Sequence, residues 1–361
     1  MALQASVHAD IDLGALRHNL GVVRRHAPGS RVMAVVKSQA YGHGEQAVAQ
    51  ALEPGVDALA VARIEEGVAL RQAGISCPLL VLEGIVLGEH LDLARRYDLQ
   101  LVVHDIYQLA VLQADSSSAP LDCWLKIDTG MHRLGIAPDQ AAAMLKQLQA
   151  LPQVRVLAVM THLANADDTD DFTTRTQIER MLAATTDMGL PRSIANSAGI
   201  LGWPAAHSDW VRPGIMLYGA SPLQGRSAAD LDLRPVMTLS APLIAIRGIE
   251  AGAAVGYGGT WAAPEAMPLG VVSIGYGDGY PRHIHKGAEV LLRGKRATVV
   301  GRVSMDMITI DLRAIGEARV GDRVVLWGEG LPAESLAANC NTIPYTLFCG
   351  VTCRVQRRYH D

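Results

Sequence analysis

The sequence is poor in aromatic residues and in charge. Phe, Trp and Tyr make up 4% of its 361 residues, charged residues make up 19%, and the formal net charge is −4. Because this balance is close to neutral and no basic run occurs, we expect no nucleic-acid partner. No apolar stretch is long enough to span a bilayer, and the opening MALQASVHAD lacks the basic and apolar regions of a signal peptide. We therefore expect no membrane partner either.

The five cysteines are odd in number and scattered along the chain. This usage is typical of reduced thiols and predicts a cytoplasmic protein. Cys349 and Cys353 lie four residues apart in a tail whose sequence favours a strand, and no second pair of ligands accompanies them. A structural zinc site needs more ligands than this pair supplies, so we predict no metal.

Apolar segments rich in β-branched residues alternate with helix-like segments over residues 12–233. Strands are predicted at 32–36, 58–62, 79–82, 101–104, 121–127, 154–161, 193–196 and 210–215. Eight parallel-type strands linked by helices favour a (β/α)8 TIM-type barrel. The alternative is an open doubly wound sheet, which would bind its ligand at a topological switch point. We favour the barrel.

One predicted helix precedes the first barrel strand. It covers residues 13–27, with Asp12 as its cap and Pro28 at its end. No helix follows the eighth strand, so this helix can fill the vacant place in the outer ring. Pro138 is expected at the first turn of a later helix, where its missing N–H does no harm.

The sequence pattern changes after Leu233. Short β-rich runs cut by glycines follow one another, and only SLAAN resembles a helix. This pattern predicts a mainly antiparallel β-domain. We expect three segments: an N-terminal strand within 1–11 that joins the β-domain, the barrel over 12–233, and the β-domain over 234–361.

Lys37 ends the first barrel strand, VMAVV, and a glycine-flanked turn follows it. Partial burial disfavours an ammonium group and supplies the free amine needed for imine formation with an aldehyde. Polar groups also follow other barrel strands and should meet Lys37 at one rim. They include Lys126, Arg133, Thr161, His162, Asn196, Ser197 and Arg212.

Phosphate is often held after the seventh and eighth strands of such barrels. Ser197 and the backbone N–H groups near Gly214 and Ile215 would supply neutral donors there, and Tyr41 would add a phenol. GYGDG near Gly275 is not followed by a helix, so it is not a dinucleotide-binding loop.

The segment VVKSQAYGHG resembles VVKANAYGHG of the alanine racemases, and it departs from that pattern at Ser38 and Gln39. Further resemblance extends along the chain, in family order, through KIDTGMHRLG, MTHLANAD, ANSAG, VRPGIMLYG, VGYGGTW, IGYGDGYPR, GRVSMDM and NTIPY. Ser304 and Met307 replace the family's commoner cysteine and glutamine. The resemblance implies interconversion of L- and D-alanine with pyridoxal 5'-phosphate (PLP) as cofactor.

By residue-by-residue match, Lys37 would carry PLP and Arg212 would bond its ring nitrogen. Arg133 would bond the phenolic oxygen of PLP and contribute to substrate binding, and His162 would lie beside the ring. The residues matched to the phosphate site are Tyr41, Asn196, Ser197, Gly214 and Ile215.

Tyr257 matches the family's second catalytic base, which works with the lysine in a two-base mechanism. In the family this tyrosine, like the residue matched by Met305, reaches the site from the other subunit of a head-to-tail homodimer. Tyr276 and Tyr345 match residues that narrow the entrance and limit substrate size. Lys126 matches a lysine that is carbamylated in many relatives and then bonds the arginine matched by Arg133; otherwise Asp128 is the simpler partner for Arg133.

Three other functions share parts of this pattern. A PLP-binding homeostasis protein resembles a barrel without the second domain. A PLP barrel decarboxylase would place an acid opposite the ring nitrogen and a cysteine at the β-domain, where this chain has Arg212 and Tyr257. A Schiff-base aldolase would share the barrel lysine without needing a second domain.

Overall fold

The computed structural model describes residues 6–361, and eight of its strands close into a parallel barrel. In chain order they are β2 (Arg31–Val35), β3 (Ala58–Val61), β4 (Leu79–Val81), β5 (Leu99–Val103), β6 (Leu121–Lys126), β7 (Val154–Met160), β8 (Arg192–Ser193) and β9 (Trp210–Val211). Each strand pairs with its chain neighbour, and β9 closes the ring on β2 through Arg31 and Trp210. The predicted barrel is confirmed.

The last two barrel strands are shorter than predicted. β8 and β9 have two residues each, because the chain leaves the sheet at residues 194–196 and 212–215 to form turns at the rim. β3, in contrast, is buried at all of its positions, as its apolar sequence predicts for a strand covered on both faces.

The helices surround the barrel or cover its rim. Their bounds are Leu13–His26, Glu45–Leu52, Ile64–Gln72, Glu89–Arg96, Ile106–Ala114, Ala141–Gln149, Thr173–Ala184, Ser197–Gly202, Ala333–Asn339 and Pro344–Gly350. Short 3-10 turns occupy Glu53–Gly55, Pro204–Ala206, Ile215–Tyr218, Ala229–Leu231, Tyr257–Gly259 and Tyr276–Asp278. Among residues 6–361 no helix has both the length and the apolar character required to cross a bilayer.

The helix Leu13–His26 begins as predicted, because Asp12 accepts a hydrogen bond from the Ala15 N–H at 2.7 Å. It packs beside Glu45–Leu52 and Ser197–Gly202 and so completes the outer ring. The prediction for Pro138 was wrong: that residue lies in a turn, and the helix begins only at Ala141.

The second sheet is mainly antiparallel, as predicted. Its strands are β1 (His8–Asp12), β10 (Met237–Ile249), β13 (Met267–Val272), β14 (Glu289–Leu292), β15 (Lys295–Val300), β16 (Ile308–Asp311), β17 (Arg323–Trp327) and β18 (Gln356–His360). Their order is β13-β16-β15-β14-β17-β10-β1-β18, and β13 also pairs with β10. A separate ribbon pairs β11 (Ala254–Val255) with β12 (Trp261–Ala262).

The first strand of the chain lies in this second sheet. β1 runs antiparallel to β10 and parallel to β18. The helix that follows it directly belongs to the barrel, so the chain passes from one sheet to the other at Asp12. The exact three-segment division of the chain stays a prediction.

One helix in the part of the chain that forms the second sheet was not predicted. PYTLFCG was read as part of a strand-like tail, but Pro344–Gly350 is helical and contains Cys349. The segment is short and contains Thr and Phe, which weakens its intrinsic helix signal. Packing decides the outcome: a Cβ atom on Gly42 would lie 2.0 Å from the Phe348 carbonyl oxygen, so the helix rests directly on the turn after Lys37.

Candidate active site

The segment after Lys37 forms a left-handed turn. Ser38, Gln39, Ala40 and Tyr41 have φ angles of 55°, 56°, 51° and 54°. L-residues disfavour this region, so such a turn persists only where the surrounding structure holds it. The turn places Lys37 and Tyr41 on the wall of the same cavity.

This cavity, of about 700 Å³, lies at the carboxyl ends of the barrel strands. Eleven of the predicted site residues line it: Lys37, Tyr41, Lys126, Arg133, His162, Asn196, Ser197, Arg212, Gly214, Ile215 and Tyr345. For all of them except Tyr345, this convergence follows from the parallel barrel, in which the carboxyl ends of all strands meet on one face.

Tyr41 and Gly214 form one end of the cavity. Burial raises the pKa of Tyr41 well above its usual range, so its phenol stays protonated and can donate. A Cβ atom on Gly214 would lie 2.5 Å from the Tyr41 Oη. The Ser197 Oγ accepts the Gly214 N–H at 2.8 Å, and no acceptor within residues 6–361 bonds the Ile215 N–H. Neutral donors therefore collect at this end.

The Asn196 side chain caps the helix that carries Ser197. Its Oδ1 accepts the Gly199 N–H at 2.9 Å and so caps the helix Ser197–Gly202. Its Nδ2 donates to the Leu163 carbonyl at 3.4 Å. The residue still lines the cavity, and its cap fixes the position of Ser197.

Arg212 is buried in the cavity floor. It donates to the Ser193 Oγ at 2.6 Å and to the Thr161 carbonyl at 2.5 Å. Its Nη2 lies 3.5 Å from the His162 Nδ1. Because a guanidinium has only donors, the imidazole must accept there. Burial lowers the pKa of Arg212 to about 10, so the group remains a cation near neutral pH.

His162 is held neutral by its surroundings. Burial lowers its pKa well below the usual value, and the positive charges of Arg212 and Lys126 lower it further. A neutral imidazole with an accepting Nδ1 carries its proton on Nε2. It can therefore lie beside a bound group without adding a charge.

Lys126 is also buried in this cavity. Burial lowers its pKa to about 8, and the positive charges of Arg212, Arg133 and Lys37 act in the same direction. A substantial fraction of this amine is therefore unprotonated near pH 8. An unprotonated amine is nucleophilic, which is the condition for its modification by carbon dioxide.

Asp128 does not pair with Arg133. Its Oδ1 instead accepts the backbone N–H groups of Gly130, Met131 and His132 at 3.0, 3.0 and 3.1 Å. The alternative partner suggested by the sequence is thus engaged in holding its own loop. Arg133 projects into the cavity without that carboxylate.

Three predicted residues lie outside the Lys37 cavity. Tyr257 is 70% exposed, Met305 is 52% exposed and Tyr276 is 40% exposed. The backbones of Tyr276 and Met305 are adjacent, because the Tyr276 N–H donates at 3.1 Å to the carbonyl of Ser304, the residue before Met305. Arg302 borders the Tyr257 loop, because its Nη1 would lie 3.2 Å from a Cβ atom on Gly258.

Tyr345 behaves differently from those three. It belongs to the helix Pro344–Gly350, and its ring centroid lies 5.8 Å from that of Tyr41. The second sheet therefore covers the barrel cavity of its own chain through this helix. Cys349, which the sequence analysis did not place in the site, lines the cavity from the same helix.

The second to fourth barrel strands contribute further cavity residues that were not predicted. They include Ala62, Leu82, Glu83 and His104. The His104 Nε2 lies 3.0 Å from the Glu83 carbonyl oxygen, which joins two neighbouring rim loops. Ala62, Leu82 and His104 end predicted strands and Glu83 follows one, and this position was the available signal. Within residues 6–361 no group of three or more His, Cys, Asp or Glu side chains could hold a metal ion.

Comparison with known proteins explains this arrangement. The family model described as alanine racemase, N-terminal domain, matches residues 11–222, and the one described as alanine racemase, C-terminal domain, matches residues 236–359. The chain belongs to the alanine racemase family. The resemblance carried by VVKSQAYGHG and the later segments is confirmed.

Individual alanine racemases match over nearly the whole chain. The alanine racemase of Nitrosococcus oceani is 51% identical over 350 residues, which cover 97% of this chain and 98% of that protein. The alanine racemase of Thioalkalivibrio sulfidiphilus is 50% identical over 359 residues and 99% of both chains. The crystal structure of biosynthetic alanine racemase from Pseudomonas aeruginosa superposes with a TM-score of 0.96 at 45% identity, covering 99% of this chain and 100% of that one.

Proposed function

We propose that this chain is a PLP-dependent alanine racemase that works as a homodimer. One observation carries the proposal: the amine of Lys37, the neutral donors around Tyr41 and the buried guanidinium of Arg212 line a single cavity. The three groups correspond in chemistry to the aldehyde, the phosphate and the ring nitrogen of PLP. Five free cysteines support a reducing, cytoplasmic location.

The residues present fit this cofactor. A volume of about 700 Å³ lies within the usual range for cofactor sites. The absence of a side chain at Gly214 leaves room beside the Tyr41 hydroxyl, and the Ile215 N–H needs an acceptor. A phosphate would supply that acceptor, with Tyr41 and Ser197 as further partners. Asn196 would support this end through its helix cap.

PLP, when bound, supplies an electron sink that acidifies the Cα–H bond of an amino acid. Lys37 would hold its aldehyde and would become a free amine when substrate takes that place. The freed amine can then remove or return a proton on one face of Cα. Arg133 would bond the phenolic oxygen and help to orient the substrate, and neutral His162 would lie against the ring.

Arg212 tunes this chemistry towards racemisation. Its guanidinium remains protonated and offers only donors, so a ring nitrogen facing it must accept and stays unprotonated. A ring with an unprotonated nitrogen would withdraw electrons less strongly than a ring with a protonated nitrogen. A weaker sink favours rapid return of the proton to Cα over competing reactions.

Inversion needs a second proton carrier on the opposite face of Cα, and Tyr257 is the proposed carrier. Its phenol is 70% exposed and does not line the Lys37 cavity of its own chain. Delivery by a second subunit in a head-to-tail dimer would account for both facts.

The same dimer would bring Met305 and Tyr276 to the entrance. Met305 would bind the substrate, and Tyr276 would join Tyr345 in restricting the space to a methyl side chain. Their exposure of 52% and 40% leaves both residues available for such contacts.

Lys126 is proposed to carry a carbamate. Its unprotonated amine would form a bond to carbon dioxide and release one proton, which gives a carbamate anion. Counted from the ammonium form, two protons leave and a buried cation becomes an anion. The anion could then pair with Arg133, whose alternative partner Asp128 is already bonded to its own loop. The pKa of about 8 supports this reaction.

The rival functions receive less support. The second sheet exceeds what a barrel-only homeostasis protein or an aldolase needs. Arg212 occupies the position where a PLP decarboxylase would place an acid.

The decisive experiment is a chiral assay of PLP-loaded protein with pure L- and D-alanine, using serine and arginine as competitors. Racemisation from both sides is expected; optically stable alanine would overturn the proposal.

A further inference from the structure

The left-handed turn after Lys37 is secured at its far end by two side chains. The His43 Nδ1 lies 2.9 Å from the Tyr41 carbonyl oxygen and 3.2 Å from that of Ala40. The Arg357 Nε donates to the Gly42 carbonyl at 2.7 Å. These contacts fix the turn around Tyr41, but none of them reaches the backbone next to Lys37.

Glu66 makes the contact at the Lys37 end. Its Oε1 accepts the Ser38 N–H at 2.7 Å. Its other oxygen, Oε2, accepts the N–H groups of Ala62 and Arg63 at 2.7 and 3.1 Å. The carboxylate therefore joins the turn after the first barrel strand to the end of the second.

This bridging arrangement exceeds what helix capping requires. Glu66 occupies the third position of the helix Ile64–Gln72, and its bond to the Arg63 N–H belongs to a capping box. Oε2 alone supplies that cap. Oε1 is directed at the residue that follows Lys37 and adopts a φ of 55°. An ionised acceptor strengthens such a bond.

We propose that Glu66 is a positioning residue for Lys37. Its carboxylate fixes the Ser38 backbone and thereby aims the Lys37 amine into the cavity. Glu66 does not line the 700 Å³ cavity itself but borders a neighbouring one together with Lys37 and Ser38. It therefore acts through Lys37. The inference rests on the proposed function, because it concerns the affinity for PLP.

The test compares Glu66→Ala and Glu66→Gln with the wild type as PLP-free proteins titrated with PLP. Loss of a charge-assisted hydrogen bond predicts a dissociation constant raised roughly ten- to hundredfold in Glu66→Ala. Glu66→Gln keeps one carbonyl oxygen for three donors and should fall between. Hydrogen exchange at the Ser38 amide of the PLP-free proteins should accelerate, while exchange at Val35 in β2 stays unchanged.

Asp12→Ala is the matched control. Asp12 caps the helix Leu13–His26 through a 2.7 Å bond to the Ala15 N–H and does not contact the Lys37 turn. If Glu66 acted only as a helix cap, Asp12→Ala and Glu66→Ala would both lower the melting temperature and would bind PLP with the same affinity.

Retained PLP affinity in Glu66→Ala, or unchanged hydrogen exchange at the Ser38 amide, would overturn this inference but not the proposed function. Wild-type protein that binds no PLP would overturn the proposed function, and the inference with it. If Glu66→Ala does not fold, Glu66→Gln decides by the same two readouts.

Discussion

Gly214 lies directly against the phenol of Tyr41: a Cβ atom at this position would come within 2.5 Å of the Oη. The contact joins the turn after the last barrel strand to the turn after the first. Ser197 and Ile215 line the same cavity, at the end proposed to bind phosphate.

Gly214→Ala should displace the Tyr41 hydroxyl and weaken PLP binding about tenfold, because the phosphate would lose one hydrogen bond from a neutral donor. Titration of the PLP-free variant measures this change. Gly29→Ala is the control, since nothing lies within 4 Å of its added Cβ. In a double-mutant cycle with Tyr41→Phe the two losses should not add. Full additivity would contradict the proposed coupling.

Lys37→Ala should abolish racemisation and the visible absorbance of bound PLP, because the cavity loses the amine that is proposed to hold the PLP aldehyde. Loss of this proton carrier alone predicts a rate at least roughly 10²- to 10⁴-fold lower. Lys146→Ala, on the exposed side of the helix Ala141–Gln149, should behave like the wild type. Residual turnover of Lys37→Ala at a comparable rate would refute the assignment.

Tyr257→Phe should slow racemisation by roughly 10²- to 10⁴-fold but preserve proton exchange on the face served by Lys37. We assign Tyr257 to the proton of L-alanine and Lys37 to that of D-alanine, so in D2O D-alanine should take up deuterium at Cα faster than it becomes L-alanine. Proton NMR and a chiral assay measure the two rates. Tyr97→Phe is the control, because that half-buried tyrosine does not line the cavity and its hydroxyl only accepts a bond from Gln72. Equal loss of exchange and racemisation would argue against the role of Tyr257.

Lys126 should make the stability of unmodified, PLP-free protein depend on pH. Its pKa is about 8 in the fold and near 10.5 in the unfolded chain. Between these values the unfolded state binds more protons, so stability should rise with pH across this window. Below pH 8 the charged amine destabilises the fold by on the order of 2–3 kcal/mol.

Lys126→Met tests this expectation. In buffer free of carbon dioxide, it should exceed the wild type in free energy of unfolding at pH 7, and the gap should shrink above pH 8. Urea denaturation at several pH values measures it. Addition of bicarbonate should stabilise only the wild type, with a carbamate detected by 13C NMR. A gap independent of pH would contradict the lowered pKa.

The sequence alone was sufficient to predict the barrel and the site residues that the barrel contributes. Strands such as Ala58–Val61 are short, apolar and regularly spaced, so local pattern defines them. The residue that follows each strand then faces the rim by geometry, which is why Lys37 and Arg212 could be assigned in advance. Local pattern failed where propensity was weak, as in the helix Pro344–Gly350.

What only the tertiary structure decided is how those residues are held. The left-handed turn at Ser38–Tyr41 has no glycine within it. Besides a local contact from His43, its backbone is held by Glu66 and Arg357, which lie 28 and 315 residues from the groups they bond. Burial among cations, which lowers the pKa of Lys126, likewise depends on packing. Sequence determines which groups stand at the rim, because strand and turn signals are local; their charge state and direction are decided by neighbours that only folding brings together.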